Sequence, residues 1–156
     1  MDKLTHFKNG KAVMVNVNDK EDTKRKAVAQ AIVKVNLETF QRIMAGTVDK
    51  GDVLTVARIA GIMGAKQTSN LIPMCHPIFI SSAEIDFKLI PEKNEIIIIS
   101  TVETFGKTGI EMEAITAVTI SAITIYDMCK AIDKSIEVTS ICLLEKTGGK
   151  SGDYHR

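Results

Sequence analysis

From Ala114 to Tyr126 the chain runs thirteen residues without a charge, between Glu113 at one end and Asp127 at the other. Thr116, Thr119, Ser121 and Thr124 punctuate this stretch, and it falls short of the roughly 20 apolar residues that a membrane span needs. It reads as a helix buried along most of its length, entered through Gly106-Lys107-Thr108-Gly109 and running from about Ile110 to Asp133. A helix apolar on most sides forces the rest of the chain to cover it. Its ends, by contrast, carry ionisable groups: Glu113 at the start, Asp127 and Lys130 at the close. Glu113 and Asp127 lie fourteen residues apart, which places them within about 40° on one helix face and about 21 Å apart along the axis. One pocket of one chain does not easily hold both. A site using both is one assembled between subunits of a symmetric oligomer.

Around this helix the remaining patterns are mostly those of strands. Lys11 to Asn18 alternates as a short strand, and Asn18 to Lys26 reads as a charged, mobile connector. Ala27, Ala29, Ala31, Val33 and Val35 share one side of an extended segment, which favours a strand despite the alanines. Asn36 can cap a helix over Leu37 to Met44 that Gly46 ends, and Gly51-Asp52 opens a second helix through Val53, Val56, Ala57, Ala60 and Met63. Pro73 and Pro77 bar helix from Leu71 to Ile78. Ile78 to Leu89 and Glu95 to Phe105 form a hairpin about Pro91-Glu-Lys-Asn94, and a last strand runs through Ile136, Val138 and Ile141 to Leu144. The order predicts an α+β fold: a ferredoxin-like, split βαβ antiparallel sheet with helices on one face, plus an extra N-terminal strand and helix.

With 156 residues, 45% of them hydrophobic, one filled core is expected and two domains are not. Residues 1–156 read as a single domain, with about 1–24 and 146–156 as flexible segments. A net charge of +1 and a pI near 7.7 imply no broad attraction to nucleic acid or to a membrane. Aromatic residues at 4%, with no tryptophan, offer little stacking surface for bases. Met1 to His6 lacks the apolar run of a signal peptide, and Cys75, Cys129 and Cys142 form no close pair. Both features point to the cytoplasm with thiols reduced.

Three segments carry the candidate chemistry. Leu71-Ile-Pro-Met-Cys-His-Pro-Ile78 holds a thiol and an imidazole between two prolines, a rigid turn able to present Cys75 and His76. No second Cys or His stands at ligand spacing, so no metal site is predicted. Asp127 and Lys130 are i, i+3 neighbours, a spacing shared by ordinary surface pairs and by a poised acid and base. Glycine-rich loops bearing lysine occur twice, at Gly106-Lys-Thr-Gly109 and Lys146-Thr-Gly-Gly-Lys-Ser-Gly152. Glycine amides with an ammonium suit a polyphosphate. The P-loop pattern is not met, since Thr101 and Leu144 stand where its first glycine belongs. Arg25, Lys50 and Lys66 are further basic candidates.

Taken together, Leu4-Thr-His6, Met14-Val-Asn-Val17, Ala65-Lys-Gln-Thr-Ser-Asn-Leu-Ile-Pro-Met-Cys-His-Pro77, Gly106-Lys-Thr-Gly-Ile-Glu-Met-Glu-Ala114, Ile125-Tyr-Asp-Met-Cys-Lys-Ala131 and Gly148-Gly-Lys-Ser-Gly-Asp153 closely resemble the MoaC proteins. These are the cyclic pyranopterin monophosphate synthase family of molybdenum cofactor biosynthesis. The resemblance implies a ferredoxin-like subunit in a hexamer, a trimer of dimers with interfacial active sites. It also implies a diphosphate-releasing lyase reaction from 3′,8-cyclo-7,8-dihydro-GTP to cyclic pyranopterin monophosphate. Asp127 and Lys130 would be the acid and base, with Lys50 serving phosphate or proton transfer. Met74, Cys75 and His76 would line the substrate pocket, and Met112 and Glu113 would contact the pterin-forming base. Lys66 and Arg25 would bind substrate, and Lys146 and Lys150 would draw the tail over the triphosphate. No cofactor is implied, though Mg²⁺ travelling with the diphosphate is left open. Asn16 and Asn70 stand where the family pattern has aspartate, neither at a proposed catalytic position. Set against this are a regulatory nucleotide-binding module on the same fold, and, more weakly, an RNA-binding domain whose central strands would carry isoleucines in place of aromatics.

Overall fold

A computed structural model describes residues 6–156. Leu4 and Thr5, which belong to the first motif of the resemblance, lie outside the described residues. Two short strands, β1 (Phe7–Lys8) and β2 (Lys11–Ala12), form a hairpin across Asn9-Gly10. Both turn residues have positive φ, 52° and 74°, the backbone that a two-residue hairpin requires and that Asn-Gly favours. The strand expected over Lys11 to Asn18 is therefore confined to its first two residues. Beyond Ala12 the alternation serves a cavity wall and not a sheet, as described below.

The long strand β3 (Thr23–Lys34) carries Ala27, Ala29, Ala31 and Val33 fully buried on one face. Asn36 caps α1 (Leu37–Ala45) by accepting from the Thr39 amide at 2.8 Å, and Gly46 ends it in the left-handed region at φ 67°. Asp52 caps α2 (Val53–Lys66) in the same manner. A single further turn, α3 (Thr68–Leu71), continues before Pro73, one turn that the reading of the proline-flanked segment did not include. The hairpin β4 (Ser82–Ile90) and β5 (Glu95–Gly106) turns through Pro91–Lys93 and a left-handed Asn94. The long helix is α4 (Glu111–Cys129), followed by β6 (Glu137–Thr147) and β7 (Tyr154–His155).

The main sheet is antiparallel in the order β4-β5-β3-β6-β7. Two crossovers, β3 to β4 through the first helices and β5 to β6 through α4, each leave one strand between their ends, which is the split βαβ arrangement. α2 and α4 lie on the face holding Ala27, Ala29, Ile85, Ile96, Ile98 and Val102. The Ser100 hydroxyl donates to the Ala114 carbonyl at 2.7 Å and ties α4 to β5. Gly61 and Gly64 bring α2 against α4: a Cβ at Gly61 would meet the Ile85 side chain and the Ala117 carbonyl, and one at Gly64 would meet Ile120. At 19 residues and a mean hydropathy of 1.3, α4 has the length and apolarity of a span. Its residues Ala114, Val118, Ala122 and Ile125 are nevertheless buried in this core.

α4 stops at Cys129, four residues before the predicted Asp133. Asp133 is buried and accepts from the Asn36 amide at 2.8 Å and from the Ser135 amide and hydroxyl at 2.8 and 2.6 Å. A short acid that bonds nearby backbone favours a turn over a continued helix. The tail, for which a flexible terminus was expected, turns back through Gly148, Gly149 and Gly152. β7 then pairs with Glu145 and Lys146.

Candidate active site

The Leu71–Ile78 turn, the stretch after β2 and the first turn of α4 enclose a cavity of about 410 Å³. Its walls include Val15, Val17, Met74, Cys75, His76, Met112 and Glu113, so the alternating valines of the N-terminal stretch face a hollow. His76 Nε2 lies 2.7 Å from the Val15 carbonyl oxygen. A carbonyl only accepts, so this contact puts a proton on Nε2 and leaves Nδ1 the acceptor nitrogen.

Glu113 is only 3% exposed. Burial raises its pKa to about 7, and the nearby charge of Glu111 adds to the rise, while Glu113's own backbone amide opposes it. The Cys75 thiol is pushed up too, by burial first and then by Glu113. The cavity thus presents a carboxyl that gains and loses its proton near neutrality beside an imidazole and a weakly acidic thiol.

Lys20 lines this cavity and also a neighbouring groove of about 490 Å³. That groove is walled by Lys20, Thr23, Arg25, Gly149, Lys150 and Ser151, with Glu21 as its one acid. Arg25 donates from Nε to the Gly106 carbonyl at 2.9 Å and from Nη2 to the Lys107 carbonyl at 3.2 Å. A Cβ at Gly149 would strike the remaining guanidinium nitrogen, so glycine lets the tail close over Arg25. Among the described residues the Thr23 hydroxyl is buried there without a hydrogen-bond partner. Cations beside glycine backbone and an unused hydroxyl make a cradle for oxyanions. Lys20 was not among the candidate residues, because a charged run between two elements carries no periodicity to single it out.

At the other end of α4, Lys130 Nζ lies 2.8 Å from Asp127 Oδ1. Lys50 Nζ donates to the Asp127 carbonyl at 2.9 Å and lies 3.5 Å from Oδ2. The hydrogen bond and charge of Lys130, followed by the charge of Lys50, hold the Asp127 carboxyl below its usual range, and Asp127 in turn raises Lys130. Within one chain the pair is exposed, Asp127 to 57%. Lys66 stands apart beside a hollow with Ile62 and Phe79 that shares only Ile78 with the Glu113 cavity. Lys146 is not among the residues walling the oxyanion cradle; it pairs with Glu111 at 2.6 Å beside a small hollow that it shares with Arg25. The candidates thus fall into a cavity group, a cradle group and an Asp127 group, with Lys66 and Lys146 outside all three. Among the described residues, no three His, Cys, Asp or Glu side chains come together as metal ligands.

The MoaC family model matches residues 14–149. Over 154 residues the chain is 57% identical to the cyclic pyranopterin monophosphate synthase of Peptoclostridium acidaminophilum, covering 98% of this chain and 97% of that protein. The proteins of the same name from Clostridium perfringens (strain 13 / Type A) and Listeria monocytogenes serotype 4a are 56% and 58% identical, each over 98% of this chain and over 98% and 96% of their own lengths.

Proposed function

The chain belongs to the MoaC family, and we propose that it is a cyclic pyranopterin monophosphate synthase that converts 3′,8-cyclo-7,8-dihydro-GTP to cyclic pyranopterin monophosphate and diphosphate. The observation that carries this reading is that the Glu113 cavity and the cradle of Arg25 and Lys150 are neighbours with Lys20 as a shared wall. A largely apolar cavity holding a proton-handling carboxyl beside a nest of cations fits a ring system that bears a polyphosphate.

In this reading Met74, Cys75, His76, Met112 and Glu113 hold the ring system, and Arg25, Lys20 and Lys150 hold the phosphates. A cyclic monophosphate arises from a triphosphate when an internal hydroxyl bonds to the α-phosphorus and the bond to the β-phosphate oxygen breaks. The hydroxyl gives up its proton, and diphosphate leaves with its charge neutralised by cations. Ring rearrangement needs protons taken and returned, the work of Asp127, Lys130 and Lys50. Asp127 is held ionised and Lys130 protonated, the starting forms of a proton acceptor and a proton donor. Mg²⁺ on the diphosphate belongs to the substrate, since Glu21 is the one carboxylate lining the cradle.

Glu113 and Asp127 stand at opposite ends of α4, so the complete site joins the cavity and cradle of one chain to the Asp127 group of another. Oligomerisation, with a hexamer as its closed form, and a cytoplasmic location belong to this reading. The test is incubation of the purified protein with the cyclised dihydro-GTP, with diphosphate and pyranopterin both quantified. Mixing Glu113→Ala with Asp127→Ala chains, each inactive alone, then restores turnover in mixed oligomers. Tight binding with neither product would identify a nucleotide-binding module, and no recovery on mixing would place each site within one chain.

A further inference from the structure

α4 begins without a conventional cap: Ile110 occupies the N-cap position and contributes no side-chain hydrogen bond. What anchors this end is Glu111. Its carboxylate receives the Lys146 ammonium at 2.6 Å, with both side chains about three-quarters buried at 25% and 27% exposure. Lys146 lies on β6, opposite Ala27 of β3 and Tyr154 of β7, so the pair joins the first turn of the helix to the sheet. Gly109 lies directly beneath the same carboxylate. Its φ is not in the left-handed region, yet a Cβ there would fall on the Glu111 carboxylate. Glycine at this position makes room for an acid folded back over the chain. Arg25 meanwhile holds the carbonyls of Gly106 and Lys107. The loop before α4 is thus pinned on one side by Arg25 and on the other by Glu111 and Lys146.

We propose that Glu111 is a positioning residue for the reaction, which commits Lys146 as a strut and so aims Thr108, Met112 and Glu113 into the substrate cavity. This inference rests on the synthase reading and gives Lys146 a role other than the one the resemblance implied: its ammonium is engaged by Glu111 and ties the helix to the sheet. Misaimed catalytic groups lower the rate at saturation more than they weaken binding, whereas a lost phosphate ligand raises KM.

The experiment compares the full-length protein with Glu111→Gln, Gly109→Ala and the exchange Glu111→Lys with Lys146→Glu, using the cyclised dihydro-GTP. Glu111→Gln keeps the size and a carbonyl acceptor while losing the charge, and Gly109→Ala crowds the carboxylate without altering charge. Both are expected to lose kcat by roughly 10- to 100-fold with KM within about threefold of wild type. The exchange is expected to recover at least half of the kcat lost in Glu111→Gln. An unchanged kcat in Glu111→Gln, an exchange variant that recovers less, or a KM raised more than about tenfold whenever position 146 loses its positive charge would overturn the assignment. A readout that needs no turnover is acylation of lysines in the intact oligomer, followed by mass spectrometry. Lys146 is expected to react more slowly than the exposed Lys134 and to match it in Glu111→Gln. Equal rates in wild type would overturn the strut, while an inactive wild type with a protected Lys146 would count against the synthase reading alone.

Discussion

Replacing Glu113 by Gln removes a group whose charge the fold holds out of water, and the consequence for stability can be worked from its pKa. Burial raises the carboxyl from its ordinary 4.5 to about 7. Between those values the native protein keeps a proton that the unfolded chain releases, so wild-type stability falls as pH rises through this window, and the full penalty is present above pH 7. A rise of this size corresponds to about 3 kcal/mol, most of which develops between pH 5 and pH 8. Gln carries no ionisation, so the variant lacks this slope. Urea unfolding of both proteins at pH 5 and pH 8 isolates the effect, because any loss from a poorly paired amide appears at both pH values and cancels. The variant is expected to gain about 2–3 kcal/mol on wild type between the two, or roughly 5–10 °C in Tm for a chain of this size. Turnover is expected to be lost in the same protein. A stability difference unchanged from pH 5 to pH 8 would refute the reasoning, because Glu113 would then be ionised over the whole range.

At the far end of α4, Asp127→Asn should abolish diphosphate release while leaving substrate affinity in equilibrium dialysis within about threefold, since in the proposed reading the side chain bears on chemistry and not on binding. Its unfolding midpoint should stay within the roughly 0.5 kcal/mol typical of surface changes. Gly61→Ala adds a methyl that meets Ile85 and the Ala117 carbonyl, and overpacking of this kind should lower the stability measured in urea by about 1–3 kcal/mol. Lys150→Gln should raise KM and flatten its dependence on salt, as read from initial rates at several ionic strengths, because a phosphate contact is lost. At pH 7 the maleimide reaction of Cys75 should be slower than that of a free thiol, and Glu113→Gln should accelerate it by removing the neighbouring charge.

Much of the sheet was legible because its code is local. The alternation of Ala27 to Val33, the Asn36 and Gly46 caps and the Pro91-to-Asn94 turn each act over a few residues, and each appears where expected. The N-terminal stretch was misread because an alternating run says only that one side is apolar, and Val15 and Val17 turn that side toward a cavity instead of a partner strand. The end of α4 escaped notice because Asp133 bonds to Asn36, 97 residues away, a partner that no window along the chain reveals. Of the candidate residues, Met74 to His76 lie together in space with Met112 and Glu113, as Lys50 does with Asp127 and Lys130. Lys20 and the Glu111–Lys146 pair depend on chain folding over tens of residues and left no local trace.

The separation of Glu113 from Asp127 gives α4 the part of a ruler. Each residue inserted between them would advance one end by about 1.5 Å and turn it by about 100° relative to the other. A single insertion would therefore point Asp127 away from the neighbour that Glu113 implies, while leaving the core almost as apolar as before. Substitutions inside the helix need satisfy only packing against α2 and the sheet, whereas in a site shared between chains, as proposed, its count of residues would be held by the spacing of its two ends. Variation in this segment should accordingly take the form of exchanged side chains, with gaps and insertions displaced to the loops on either side.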